Sequence, residues 1–126
     1  MQQARAAIIL LAHGSRDPLW RQPIEAVAAH IRASQPLLAV RCAYMELCEP
    51  GLPAALAELA AQGAARISIV PLFLGAGRHV RDDLPRQVQA LAQAHPHIDL
   101  RLQPPIGEDD RVMALMAEIA ASTAIY

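Results

Sequence analysis

The sequence contains no lysine: all eleven of its cationic side chains are arginine. Aromatic residues are almost as scarce, with one phenylalanine, one tryptophan and two tyrosines in 126 residues. So few rings argue against a large aromatic pocket and for tight packing of helices on a sheet. The two cysteines, Cys42 and Cys48, form no CxxC pair and no zinc-ribbon spacing. Cys42 falls inside an apolar run, where a thiol behaves as a small hydrophobe; Cys48 reads as a reduced spectator in a loop. A net charge of −1 leaves no basic footprint for nucleic acid or for an anionic membrane surface. No apolar run approaches the about 20 residues of a membrane span, and the first residues lack a signal-peptide pattern. The expectation is a cytoplasmic protein with one domain over residues 1–126, partnered by neither nucleic acid nor membrane. A chain of this length buries roughly two-thirds of its unfolded surface, enough for a core without staples.

What is present is a fourfold alternation between a short apolar run and a helical stretch. The runs at 6–12, 39–45, 67–74 and 98–102 read as strands. After the first, Asp17 has the chemistry of a helix cap and Pro18 suits a first helical position. Ile24, Val27, Ala28 and Ile31 then fit one helix face, and Pro23 either kinks that helix or marks its true start. A second helix follows Glu49-Pro50-Gly51-Leu52-Pro53, with Leu52, Leu56, Leu59 and Ala60 as its buried stripe and Gly63 as its stop. The third opens near Asp82-Asp83-Leu84-Pro85, carries Leu84, Val88, Leu91 and Ala92, and ends at His95-Pro96-His97. Val112, Leu115, Met116 and Ile119 mark the last. Strands alternating with helices predict an α/β fold, a three-layer sandwich in which a four-stranded parallel sheet has helices on both faces. The even spacing is not an ankyrin-type repeat, because strands intervene and the helix-pair signature is missing.

Three residues with metal-ligand side chains, His13, Glu46 and His79, stand 33 positions apart in both steps (13 to 46, 46 to 79). Each falls at or just past the end of a predicted strand. A period of about 30 residues is one strand-plus-helix unit, and ligands gather beyond the carboxyl ends of parallel strands. The trio therefore converges on one edge, where two imidazoles and a carboxylate make a donor set for a divalent transition metal. Simpler readings stand beside this one: His13 as a loop histidine bonded to backbone, and Glu46 as the partner of Arg16, Arg41 or Arg78. Strand alternation puts Glu46 on the face of Cys42 and Tyr44, while Glu49 belongs to the following turn. Gly14 permits a sharp turn after the strand, and Ser15 with the first helical N–H groups can receive an anion. The loop Gly75-Ala76-Gly77-Arg78-His79-Val80 fails G-x-G-x-x-G at Val80, and no Walker motif exists. Gly75 and Gly77 instead let backbone lie flat against a large planar ligand, with His79 presented at the loop's end. His30, His95 and His97 read as surface or helix-end histidines. Arginine in place of lysine is either lineage bias or a means of gripping carboxylates through paired hydrogen bonds.

The stretches Leu10-Leu11-Ala12-His13-Gly14-Ser15-Arg16-Asp17, Met45-Glu46-Leu47-Cys48-Glu49-Pro50 and Val70-Pro71-Leu72-Phe73-Leu74-Gly75-Ala76-Gly77-Arg78-His79-Val80-Arg81-Asp82-Asp83-Leu84-Pro85 resemble the CbiX/SirB family of class II chelatases. Pro105-Ile106-Gly107-Glu108-Asp109 is similar to that family's fourth loop, and the resemblance runs from Ile8 to about Ile119. It implies a chelatase-like fold, in the short form that is half the length of two-lobed chelatases and works as a homodimer. The implied activity is insertion of Co²⁺ or Fe²⁺, with Ni²⁺ as a further metal, into sirohydrochlorin, on the way to cobalamin or sirohaem. The metal is then a substrate and no tightly bound cofactor is required. The family's metal-contacting residues fall on His13, Glu46 and His79: the histidines as ligands or proton acceptors, the carboxylate neutralising metal charge. Arg16, Arg78 and Arg81, beside the site loops, are candidates for gripping the peripheral carboxylates of the ring, with Ser15, Gly75 and Gly77 adding contacts. Other readings weighed against it are a carrier of metal or tetrapyrrole and, less well supported, a hydrolase. A histidine phosphatase needs arginine immediately before His-Gly, where Ala12 stands, and no HExxH helix supports a zinc hydrolase.

Overall fold

The computed structural model describes residues 5–124. Four strands, β1 (Arg5–Ala12), β2 (Ala39–Tyr44), β3 (Ala64–Pro71) and β4 (Asp99–Leu102), alternate with four helices, α1 (Gln22–Ser34), α2 (Leu52–Ala61), α3 (Arg78–Ala94) and α4 (Asp110–Ser122). Short 3₁₀ turns at Pro18–Arg21 and Ile106–Glu108 precede α1 and α4. The sheet is parallel throughout, in the order β2-β1-β3-β4. Leu11 pairs with both Ala43 and Pro71, so β1, β2 and β3 end at the same level and their loops leave from one edge.

Alternation along the strands sorts the apolar residues onto two faces. Ala7, Ile9 and Leu11 of β1, Ala43 of β2 and Ile67 and Ile69 of β3 pack against Leu52, Ala55, Leu56 and Leu59 of α2 and Leu84 and Val88 of α3. Each fully buried leucine or isoleucine contributes about 1.5–3 kcal/mol, which makes this face the main core. On the other face Leu10 and Val40 meet Ala28 of α1, with Ile31, Cys42 and Val70 around them. Cys42 is half-buried there, its thiol donating to the Ile24 carbonyl at 3.9 Å, and burial pushes its pKa up. The sheet and the layers α1 and α2–α3 are the expected sandwich.

Several boundaries differ from the sequence expectation for identifiable reasons. Asp17 does cap, but it caps the 3₁₀ turn, accepting from the Leu19 N–H at 2.9 Å. Pro23 then stands in the first turn of α1, where its missing N–H is no loss, so it marks the helix start rather than a kink. β3 begins and ends three residues early (64 rather than 67, 71 rather than 74), because pairing with β1 starts at Arg5 and its ladder closes at Leu11. α3 opens at Arg78, four residues before the acidic pair Asp82-Asp83. Gly77, extended at φ −66° and ψ 166°, is its cap, and the Arg81 N–H donates to the Gly77 carbonyl at 2.9 Å. Pro85 lies inside that helix on its exposed side.

α4 departs most. Its cap is firm: Asp109 accepts from the Arg111 N–H at 2.9 Å, and the Arg111 guanidinium beside it holds its carboxyl down at about 2. Yet none of its residues is buried. It rests on the 3₁₀ turn before it rather than on the sheet. Met113, Leu115, Met116 and Ile119 are exposed, and a hollow of about 670 Å³ lies between Val112 and Leu115 of α4 and Val70 and Pro105 of the body. Among the described residues no helix is long and apolar enough to cross a membrane.

Candidate functional site

The carboxyl edge of the sheet gathers the loops after all four strands. The first two are joined by backbone past the ends of their strands. The His13 carbonyl accepts from the Met45 N–H at 3.1 Å and from the Glu46 N–H at 3.0 Å. Gly14, at φ 110°, lies so close that a Cβ there would collide with the Glu46 carbonyl oxygen. Only glycine meets both conditions. The next turn is also tight: the Cys48 N–H donates to the Glu46 carbonyl at 2.8 Å, and Leu47 takes a φ of 68°. Because β2 ends at Tyr44, Glu46 is a loop residue and does not share the face of Cys42 and Tyr44 as strand alternation had it. Its side chain is exposed.

The loop after β3 meets the same place from the other side. Phe73 is buried, and the His13 imidazole stacks on its ring with centres 4.3 Å apart and planes 24° from parallel. Gly75 and Gly77 then lead to α3. His79 is therefore on the first turn of that helix, not at the end of a loop, and it is exposed. The structure joins His13 to Glu46 and puts His79 on the neighbouring loop–helix junction. Among the described residues, no three histidine, cysteine, aspartate or glutamate side chains converge closely enough to hold a metal ion by themselves.

Ion pairs among the described residues join Arg41 to Glu58 at 2.7 Å, Arg101 to Asp99 at 3.1 Å and Arg111 to Asp109 at 2.8 Å. Glu46 is in none of them, so the salt-bridge reading of that carboxylate is not the arrangement found; Arg41 is taken by α2. Arg16, Arg78 and Arg81 are exposed around the edge and are likewise in none of these pairs. Ser15 accepts from the Asp17 N–H at 3.1 Å, which fixes the turn leading out of His13. Arg81 also lines a cleft of about 310 Å³ with Pro71, Phe73, Val80 and Leu84. Cys42 and Cys48 are both free thiols.

Two features of this edge were not read from the sequence. One is Phe73, the chain's single phenylalanine, which sits in a run that looks like continuous strand. The other is an apolar rim. Every loop at this edge shows a large apolar side chain to solvent: Leu19 and Trp20 after β1, Met45 and Leu47 after β2, Leu74 after β3 and Ile106 after β4. Large apolar residues inside turn-rich loops were the available signal, since such segments ordinarily carry polar residues. Trp20 leans on Tyr44, their ring centres 6.2 Å apart. Burial pushes the Tyr44 phenol up to about 12, with negative potential from Cys42, Glu25 and Cys48 adding to it and Arg21 opposing.

Comparison with known proteins bears on this edge. The sequence model of the CbiX family matches residues 7–123. The sirohydrochlorin cobaltochelatase of Methanopyrus kandleri is 37% identical over 82 residues, covering 65% of this chain and 57% of that protein. The sirohydrochlorin ferrochelatase of Bacillus subtilis is 28% identical over 109 residues, covering 86% of this chain and 42% of that one. Among solved structures, a CbiX protein from Marinobacter aquaeolei superposes with a TM-score of 0.80 at 38% identity, covering 93% of this chain and 95% of that one. The sirohydrochlorin chelatase SirB from Bacillus subtilis subspecies spizizenii, in complex with cobalt, gives a TM-score of 0.79 at 28% identity. That match covers 95% of this chain but 51% of SirB, so the chain spans about half of SirB's length.

Proposed function

The chain belongs to the CbiX family, and from that premise we propose that it inserts a divalent metal ion, Co²⁺, Fe²⁺ or Ni²⁺, into sirohydrochlorin. The observation that carries the reading is the junction of His13 with Glu46 at the open carboxyl edge of the sheet, with His79 on the adjoining turn of α3. The likeness to proteins named as cobaltochelatase and ferrochelatase supports it.

The reaction exchanges two pyrrole N–H protons for one M²⁺ and releases two protons. Imidazole and carboxylate donors suit these metals and leave positions open for ring nitrogens. His13 and His79, when neutral, hold the metal or accept the departing protons. Glu46 offsets metal charge during transfer. The ring nitrogens complete a coordination sphere that the side chains leave open, which suits a metal that must pass through rather than stay. The apolar rim faces the macrocycle, while Ser15, Arg16, Arg78 and Arg81 meet its peripheral carboxylates, guanidinium matching carboxylate through paired hydrogen bonds. Gly75 and Gly77 admit the plane of the ring close to backbone. The metal is substrate, and the reading needs no resident cofactor.

A macrocycle is large beside one such edge, and the working form in this reading is a homodimer whose second copy provides the other wall. The exposed apolar face of α4 and the relation to SirB, a single chain of about twice this span, support it. The two free thiols fit a reducing, cytoplasmic setting.

Anaerobic visible spectroscopy of sirohydrochlorin with each metal in turn, with and without the protein, tests the proposal. The expected result is accelerated appearance of the metallated spectrum, with the three metals ranked by rate. No acceleration with any of them would leave the protein as a carrier of metal or tetrapyrrole.

A further inference from the structure

Phe73 lies beyond the strand ladder, at the first bend of the loop after β3, yet it is only 3% exposed and belongs to the main core. The following residue, Leu74, is 73% exposed. The chain thus turns one ring inward immediately before a side chain that faces solvent. Its backbone is held on both sides. The Leu72 N–H donates to the Leu11 carbonyl at 2.7 Å, and the Gly107 N–H donates to the Phe73 carbonyl at 2.9 Å. A Cβ at Gly107 would collide with the backbone of Leu74, so the loop after β4 locks the loop after β3 at close range.

His13 is the converse case: an exposed side chain whose main chain is fixed, its carbonyl accepting two N–H groups from the loop after β2. Only the two side-chain torsions remain free. Among the described residues the imidazole stacks on one ring, that of Phe73, 4.3 Å away and 24° from parallel. A face-to-face partner with a buried back holds the imidazole to one plane and leaves its other face and its edges uncovered by that ring. An unrestrained histidine would have to be ordered during each turnover, at an entropic cost.

We propose that Phe73 is a positioning residue for metal insertion: its buried ring fixes the plane of the His13 imidazole, and Gly107 fixes Phe73. The inference rests on the reading of His13 as a metal or proton ligand.

The test uses the intact protein and two readouts. In proton NMR spectra, the His13 ring protons should be displaced upfield by the Phe73 ring current relative to those of His30, His95 and His97; loss of the resonances in His13→Ala makes the assignment. Phe73→Leu should return them to ordinary positions. In the insertion assay the same variant should lose about tenfold to hundredfold in kcat, the scale of a misplaced reacting group, with KM for sirohydrochlorin unchanged. In a His13→Ala background it should have no further effect. If Phe73→Leu does not fold, Phe73→Met carries the same comparison, and the wild-type resonances test the stack without any variant. Unshifted His13 resonances in the wild type would overturn the proposal. So would a folded Phe73→Leu protein with full kcat beside an inactive His13→Ala. Wild-type kcat in His13→Ala would instead sink the reading of His13 itself and the role of Phe73 with it.

Discussion

The N–H of Glu46 donates to the carbonyl of His13 at 3.0 Å, and the only residue that fits beneath that bond is glycine. Two chemistry-bearing side chains 33 positions apart are therefore registered by main chain, not by their own contacts. Gly14→Ala should break this register twice over. It puts a side chain on a φ of 110° and drives it into the Glu46 carbonyl. The backbone strain alone should cost about 1–2 kcal/mol, and the displaced loop should take metal insertion down with it. Thermal unfolding by circular dichroism gives the first quantity, and insertion rates below the variant's Tm give the second. A variant with the Tm and rate of the wild type would show that the two loops need no such contact.

His79→Ala should separate activity from stability. The side chain is exposed on the first turn of α3 and belongs to neither core cluster. Its removal should change stability by no more than about 0.5 kcal/mol, the usual range for surface positions. The insertion rate should fall by about a hundredfold or more, the scale of losing a proton acceptor or metal ligand. Denaturant unfolding and the spectroscopic assay on one preparation settle both. A rate equal to wild type would remove His79 from the site.

The sequence made the edge legible because parallel strand–helix units repeat at a near-constant length; a spacing of 33 brings His13, Glu46 and His79 to one end of the sheet whatever the loops do. Finer placement was illegible where the deciding interaction is long-range or leaves no side-chain signature. Asp82-Asp83 and Pro85 carry the local chemistry of a helix start, but the operating cap is Gly77, whose extended backbone has no sequence mark. Glu46 was expected to continue the alternation of β2, but the strand pairs with β1 only as far as Tyr44. Phe73 was hidden in an apolar run because its turn toward His13 depends on where β1 stops. The stripe Val112, Leu115, Met116 and Ile119 was readable as one face of α4, and nothing local said that the face would be left uncovered.

Alkaline stability should depend on Tyr44. Its phenol is pushed up to about 12 in the folded protein, first by burial and then by the negative potential of Cys42, Glu25 and Cys48, against about 10 when unfolded. The neutral phenol is the form the fold favours. Its contribution is therefore complete below about pH 10 and is lost as pH rises through about 12. Phenolate absorbance should show a late-titrating tyrosine that Tyr44→Phe abolishes, and the same variant should lose less stability than the wild type across that window. A wild-type titration with no late phenol would mean that Tyr44 is open to water.

α4 supplies the prediction for assembly. Leu115 is 54% exposed and Ile119 57%, on a helix with no fully buried residue. An exposed apolar face of this kind marks a surface for contact with a partner. If a second copy is what covers it, Leu115→Glu places a carboxylate in that contact and should convert a dimer into a monomer in sedimentation equilibrium. Circular dichroism should change little, because Leu115 is more than half exposed and belongs to neither core cluster. Insertion activity should fall in proportion to the monomer, since one edge then faces the macrocycle without its second wall, and raising protein concentration should restore part of it. A wild-type protein that sediments as a monomer at every concentration would remove the dimer from the reading and leave α4 to a different partner. A dimeric Leu115→Glu protein would place the contact on another surface.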